Sequence, residues 1–161
     1  MNSATAGTTA PVSPEIAQFL ENLNAAWLTR DYAALERFYH TNVVLLPPDA
    51  GAPLVGRDAV IATYRDFHSV CTVERFSVTE VSSWRFDADN QELATSALAT
   101  TIVHMRFEID YRFTTSDAAS DPTAKSAAAP VQAEQGMDVY TLQHSTTDES
   151  LVIVWRAQFT L

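Results

Sequence analysis

The sequence predicts an α+β fold in which helices come first and one antiparallel sheet follows, with the helices gathered on one face of the sheet. Three observations carry this. Residues up to 67 hold apolar side chains at helical spacing in three segments. From residue 76 onward the spacing switches to strict alternation and does not return to helix. Between the second and third of those segments lie a short apolar strand and a glycine turn at 54–58.

The first helix is expected over 14–29. Ser13 can cap it, Pro14 suits the first helical position, and Glu15 sits where the helix dipole favours a carboxylate. Ile16, Phe19, Leu20, Leu23 and Trp27 form one apolar stripe. Asp31 caps a second helix expected over 31–40, whose Leu35, Phe38 and Tyr39 face the same core. A strand at 43–46 is closed by Pro47 and Pro48, and Gly56 permits the turn into a third helix ending at Phe67, with Val60, Tyr64 and Phe67 on its buried side.

In the strand region, Phe76, Val78, Glu80, Ser82, Trp84 and Phe86 share one face. A turn is expected at 87–90. Alternation over 93–113 then places His104, Arg106, Glu108, Asp110 and Arg112 opposite an apolar row. That run is long for one strand, so a bulge or bend is expected within it. Residues 114–135 are rich in Ser, Ala, Asp and Pro and read as a flexible hairpin insertion. A last hairpin spans 137–143 and 151–161 around a turn at 144–149. On strand parity Asp138, Tyr140 and Trp155 face inward and Arg156 outward.

The 161 residues fit one domain, expected over 14–161 with a flexible tail at 1–13, and 47% hydrophobic content is that of a globular chain. Ten Lys and Arg against twenty Asp and Glu give a net charge of −10, which argues against nucleic acid and anionic membranes as partners. One cysteine, Cys71, forbids an internal disulfide and is expected to be buried and structural. No signal-peptide pattern or apolar run long enough for a membrane span is present, so the expected location is the cytoplasm.

Asn24-Ala25-Ala26-Trp27, Arg30-Asp31-Tyr32-Ala33-Ala34-Leu35, Tyr39, the strand to Pro48, Leu54-Val55-Gly56-Arg57, Ala59-Val60-Ile61 and the closing Val154-Trp155-Arg156-Ala157-Gln158 resemble the nuclear transport factor 2-like superfamily. Within it, the chain is most similar to the SnoaL-like and ketosteroid-isomerase-like branch. The resemblance implies a cone, a strongly curved antiparallel sheet around three helices, with an apolar pocket at the wide end and a homodimer formed through the sheet. It also implies three polar positions used by ketosteroid isomerases. The hydrogen-bonding aspartate falls on Asp138, but the base position falls on Pro47 and the tyrosine position on Leu23, so steroid isomerisation is not expected.

Asp138 has two readings. As a desolvated carboxyl it is a candidate catalytic acid or hydrogen-bond donor, with Tyr140 or Tyr64 assisting; otherwise it pairs with an arginine such as Arg156 or Arg112, or orients a backbone turn. The 104–112 charges read as an anion or acid–base group, or as a mixed-charge outer face. Trp27, Tyr39, Tyr64, Trp84 and Trp155 are the candidate ligand-binding residues, and with Phe67, Tyr140 and Phe159 they are expected to crowd the concave side. The four histidines show no metal-ligand spacing, and no glycine-rich phosphate loop or nucleophile elbow occurs, so no cofactor or metal is expected. Two functions stay open. One is a SnoaL-like protein that binds a small apolar or aromatic ligand, with cofactor-free isomerisation, cyclisation or dehydration as its chemistry. The other is a non-enzymatic, homodimerising association module whose cavity is packed shut.

Overall fold

The computed structural model describes residues 12–49, 51–86, 100–114, 129–145 and 150–161. The turn expected at 87–90, most of the tail and insertion, and much of the 144–149 turn lie outside these residues.

Ser13 starts α1 (Pro14–Leu28) by accepting the Ile16 amide at 3.3 Å, and Asp31 starts α2 (Tyr32–Phe38) by accepting that of Ala34 at 3.0 Å. Val12, assigned to the tail by sequence, packs against the core. α2 ends two residues before the expected 40, because Tyr39 turns extended and opens β1 (Tyr39–Leu46) beside Ile153. After β2 (Leu54–Val55), Gly56 adopts φ 95° and leads into α3 (Arg57–Val70).

The strands β3 (Cys71–Phe86), β4 (Thr100–Phe113), β5 (Gln132–His144) and β6 (Leu151–Thr160) complete a curved six-stranded sheet of order β2-β1-β6-β5-β4-β3. The architecture is the expected α+β one, with one difference. β1 and β6 pair in parallel, so the sheet is mixed rather than wholly antiparallel. β5 also begins earlier than sequence indicates. Residues 132–135, assigned to the insertion, pair with Glu108–Tyr111 of β4, and this long-range ladder outweighs their weak strand preference.

The helices cover the inner face. Leu20, Leu23, Leu35, Val60 and Ile61 pack against Val103, Met105, Leu142 and Ile153, all buried. Cys71 is buried too, and burial pushes its thiol pKa up, with the Glu134 charge adding to this. The outer face of β4 carries the mixed charges as cross-strand ion pairs: Arg75 with Asp110 (2.7 Å) and Glu108 (3.3 Å), Arg106 with Glu80, and Arg112 with Glu74.

Bulges decide which side chains face inward, and β3 carries a first one at Glu74, between Val73 opposite Tyr111 and Arg75 opposite Asp110. In β3, Val78 pairs with Phe107 but Glu80 pairs with Arg106, leaving Thr79 as an extra residue. Beyond it the parity reverses, so Val81 sits beside Met105 on the inner face and Trp84 beside Ile102 on the outer. Of the run 93–113, in which an irregularity is expected, residues 93–99 lie outside the described residues; over 100–113 the extra residues fall on the facing strand. In β6, Ile153 pairs with Leu142 and Trp155 with Thr141, leaving Val154 extra. This bulge corrects the parity reading. Arg156, expected outward, faces inward opposite Tyr140, and Trp155, expected inward, lies outside.

His68 on α3 is buried against Trp27 (5.0 Å) and Phe67 (5.7 Å), with Nδ1 3.1 Å from the Tyr32 hydroxyl. Burial, and then the Arg30 charge, lowers its pKa below the ordinary 6.5. The unfolded chain therefore takes up a proton at a higher pH than the folded one. Stability is full above pH 6.5 and falls as pH drops from there through the lowered folded value. His68→Leu is expected to flatten the melting temperature across that window; an equally steep profile in the variant would assign the pH dependence elsewhere.

Candidate functional site

A cavity of about 210 Å³ lies between the helices and the inner face of the sheet. Its apolar walls come from Leu23 and Trp27 of α1, Phe67 of α3, and Phe107 and Ile109 of β4. Trp27 and Phe67 stack at 5.8 Å, and Phe76 and Phe107 at 5.5 Å. Gly136 faces Phe107 across the β4–β5 pair, and a Cβ there would sit 2.9 Å from the ring's Cε1 and Cε2. The missing side chain gives the Phe107 ring its place over the strand.

One wall of the cavity is polar. Asp138 and Arg156, both buried, form an ion pair in which Arg156 Nε donates to Oδ1 at 3.0 Å and Nη2 donates to Oδ1 at 2.8 Å and Oδ2 at 2.9 Å. The Tyr140 hydroxyl donates to Oδ2 at 3.0 Å. The other edge of the guanidinium serves two phenols: Nη1 donates to the Tyr64 hydroxyl and, at 3.4 Å, to that of Tyr39. Tyr39 and Tyr64 are themselves joined at 2.6 Å. Register explains the convergence, since Asp138 and Tyr140 lie two apart on β5, Arg156 sits opposite Tyr140, and Leu45 of β1 flanks Arg156.

Burial dominates the titration of this wall. It raises the pKa of Tyr39 against the lowering effect of Arg156, and raises those of Tyr64 and Tyr140 well above 10. For Arg156 burial opposes the charge, but the Asp138 carboxylate and then the phenols outweigh it, leaving the pKa well above its ordinary value. The three phenols are neutral donors and the guanidinium is charged throughout the physiological range. Nearer solvent, Tyr111 donates to the exposed Glu134 at 2.6 Å, a bond that with burial pushes the phenol up to about 12.

Of the residues singled out by sequence, Trp27, Tyr39, Tyr64, Asp138 and Tyr140 line this cavity together. Trp84 and Trp155 do not. Trp84 packs edge-on against His104 (4.7 Å) on the outer face, and the Thr79 and Val154 bulges put both tryptophans there. Leu23 and Pro47, the apolar counterparts of the two missing isomerase groups, also line the cavity. Of the two readings of Asp138, the structure shows the pair with Arg156. Sequence reasoning placed Arg156 on the wrong side. Its signal was a lone charge in the apolar run from Leu151 to Ala157, which demands a partner wherever it points. Among the described residues no group of three or more His, Cys, Asp or Glu is placed to hold a metal ion, and no helix is long and apolar enough to cross a membrane.

Similar architectures occur in solved structures. A ketosteroid isomerase-like protein from Erwinia carotovora atroseptica aligns with a TM-score of 0.63 at 17% identity, covering 91% of this chain and 94% of that one. An NTF2-like protein of unknown function in nutrient uptake from Rhodospirillum rubrum gives 0.61 at 14%, covering 91% and 98%. A candidate polyketide cyclase from Xanthomonas campestris gives 0.56 at 13%, covering 90% and 89%. At such identities the likeness establishes the fold. No match is found among curated proteins. The family model of the SnoaL-like domain matches residues 20–150, from the middle of α1 to the threshold of β6, and the chain therefore belongs to the SnoaL-like family, within the nuclear transport factor 2-like superfamily.

Proposed function

We propose that the protein binds a small apolar or aromatic molecule in the cavity between its helices and sheet. The observation that carries this is the meeting of apolar and aromatic walls with one buried, converging polar cluster in a single hollow. The ketosteroid isomerase-like and polyketide cyclase neighbours support the same direction. An association module with its interior packed shut is the less favoured reading, since aromatic side chains leave the cavity unfilled. Catalysis by Asp138 as an acid gains no support from the geometry: both its oxygens act as acceptors, toward Arg156 and Tyr140. Fused-ring compounds are expected to raise the melting temperature and quench Trp27. A ligand at a hundred times its Kd adds about 2.7 kcal/mol. A broad panel of such compounds that left the melting temperature unmoved would overturn the assignment.

We propose in addition that two copies associate through the outer face of the sheet, where Trp84, Ile102, Val139 and Trp155 are half-buried beside the ion-paired strand β4. Sedimentation is expected to give a dimer, and Trp155→Glu a monomer of unchanged circular dichroism. A monomeric parent protein would refute it.

A further inference from the structure

Building on the ligand pocket above, we propose that His68 makes ligand binding sensitive to acid: the cavity keeps its ligand while the imidazole is neutral and loses it when the imidazole takes a proton. His68 is not among the residues lining the cavity; it backs the wall that does. Its ring lies 5.0 Å from that of Trp27 and 5.7 Å from that of Phe67. Trp27 in turn meets Phe67 and Phe76, each at 5.8 Å, and Phe76 stacks on Phe107 at 5.5 Å. These four rings all line the hollow, so an unbroken run of ring contacts joins His68 to the cavity wall as far as β4.

The surroundings of this buried ring accept a neutral imidazole and resist a charged one. From α2, the Tyr32 hydroxyl stands 3.1 Å from Nδ1, where a neutral ring can accept its hydrogen. Once both ring nitrogens carry hydrogen, that bond must reverse. Two cations stand close by. Arg30, in the turn after α1, donates to the Cys71 carbonyl at the start of β3 at 3.4 Å, and Arg65 of α3 lies over the Tyr32 ring at 4.8 Å. The carboxylates of these elements do not compensate them at His68. Asp31 is spent on the Ala34 amide. Among the described residues the histidine in ion-pair contact with a carboxylate is His144, so neither Glu36, one turn beyond Tyr32, nor Asp66 on α3 neutralises a charge on His68. Tyr64, one turn earlier on α3, is committed to Tyr39 and Arg156, and the Cys71 thiol is buried and neutral. A proton on His68 therefore puts a third cation into a desolvated place, and the charged ring is driven toward water. Trp27 then loses the ring that backs it, and the close-packed wall against the ligand is lost with it. Linkage makes the coupling reciprocal: a ligand that holds Trp27 in place also favours the neutral imidazole.

Tetralin, a two-ring hydrocarbon suited to a cavity of about 210 Å³, tests the proposal, because it has no titratable group and any pH dependence belongs to the protein. In calorimetric titration of the whole chain, its affinity is expected to be nearly level above pH 6.5. Below the lowered folded value of His68 it should fall, approaching about tenfold for each pH unit. Circular dichroism at each pH confines the comparison to folded protein. His68→Phe keeps an aromatic ring behind Trp27 and is expected to bind tetralin without that fall. In the unmodified protein, the His68 Cε1–H resonance should titrate at a lower pH with tetralin bound than without it, a readout that does not depend on the variant folding. Affinity that stays level while His68 titrates, a fall that survives in His68→Phe, or a His68 titration unmoved by tetralin overturns the coupling and leaves the pocket standing. If tetralin does not bind at neutral pH the coupling falls, and silence across the fused-ring panel as well removes the pocket itself.

Discussion

Asp138→Ala is expected to destabilise the protein by about 3–5 kcal/mol. Removing the carboxylate strips Arg156 of three charge-assisted hydrogen bonds and leaves a guanidinium buried among phenols. It also deprives the Tyr140 hydroxyl of its acceptor. The loss measures the penalty of an uncompensated buried charge, not the net worth of the pair. A double replacement separates the two: Asp138→Leu with Arg156→Met removes both charges and is expected to recover most of the lost stability. Urea denaturation of parent, single and double variants decides the matter. A single variant within about 1 kcal/mol of the parent, or a double variant less stable than the single, would show that the pair is not the fully desolvated unit described here.

Gly136→Ala comes next in size and acts on stability and binding together. The added Cβ meets Cε1 and Cε2 of Phe107 at 2.9 Å and Cζ more closely still, so the ring must leave its place. Phe76 stacks on that ring, and both line the cavity, so displacement is expected to be directed into the hollow. Overpacking of this kind costs about 1–3 kcal/mol. Ring compounds that stabilise the parent should lose most of their effect on the variant. Unaltered binding with unaltered stability would mean that Phe107 relaxes elsewhere at no cost.

Local chemistry made much of the fold legible. Ser13 and Asp31 each take the capping bond their position suggests, and the stripe from Ile16 to Leu23 is buried as its spacing requires. Gly56 supplies the positive φ ahead of α3. Of the members of the site found in the sequence, Trp27 and Tyr64 lie on helices, Tyr39 opens β1 ahead of its irregularity, and Asp138 and Tyr140 keep the inward parity of β5. The two tryptophans and the arginine misplaced by sequence all lie beyond a bulge. One extra residue, Thr79 in β3 or Val154 in β6, reverses every side chain after it, and a period-two pattern carries no mark of where the partner strand will omit a residue.

The sequence by itself determined the α+β order, the three helices and their buried faces, and the presence of an unusual aspartate within an apolar strand. Propensity, capping and periodicity are local properties of the chain and need no knowledge of distant partners. Only the tertiary structure decided that β1 runs parallel to β6, that residues 132–135 belong to a strand, and that Arg156 turns inward to meet Asp138, Tyr39 and Tyr64. Those outcomes depend on register between strands far apart in sequence, where a single bulge sets which groups share a face and burial makes their pairing obligatory.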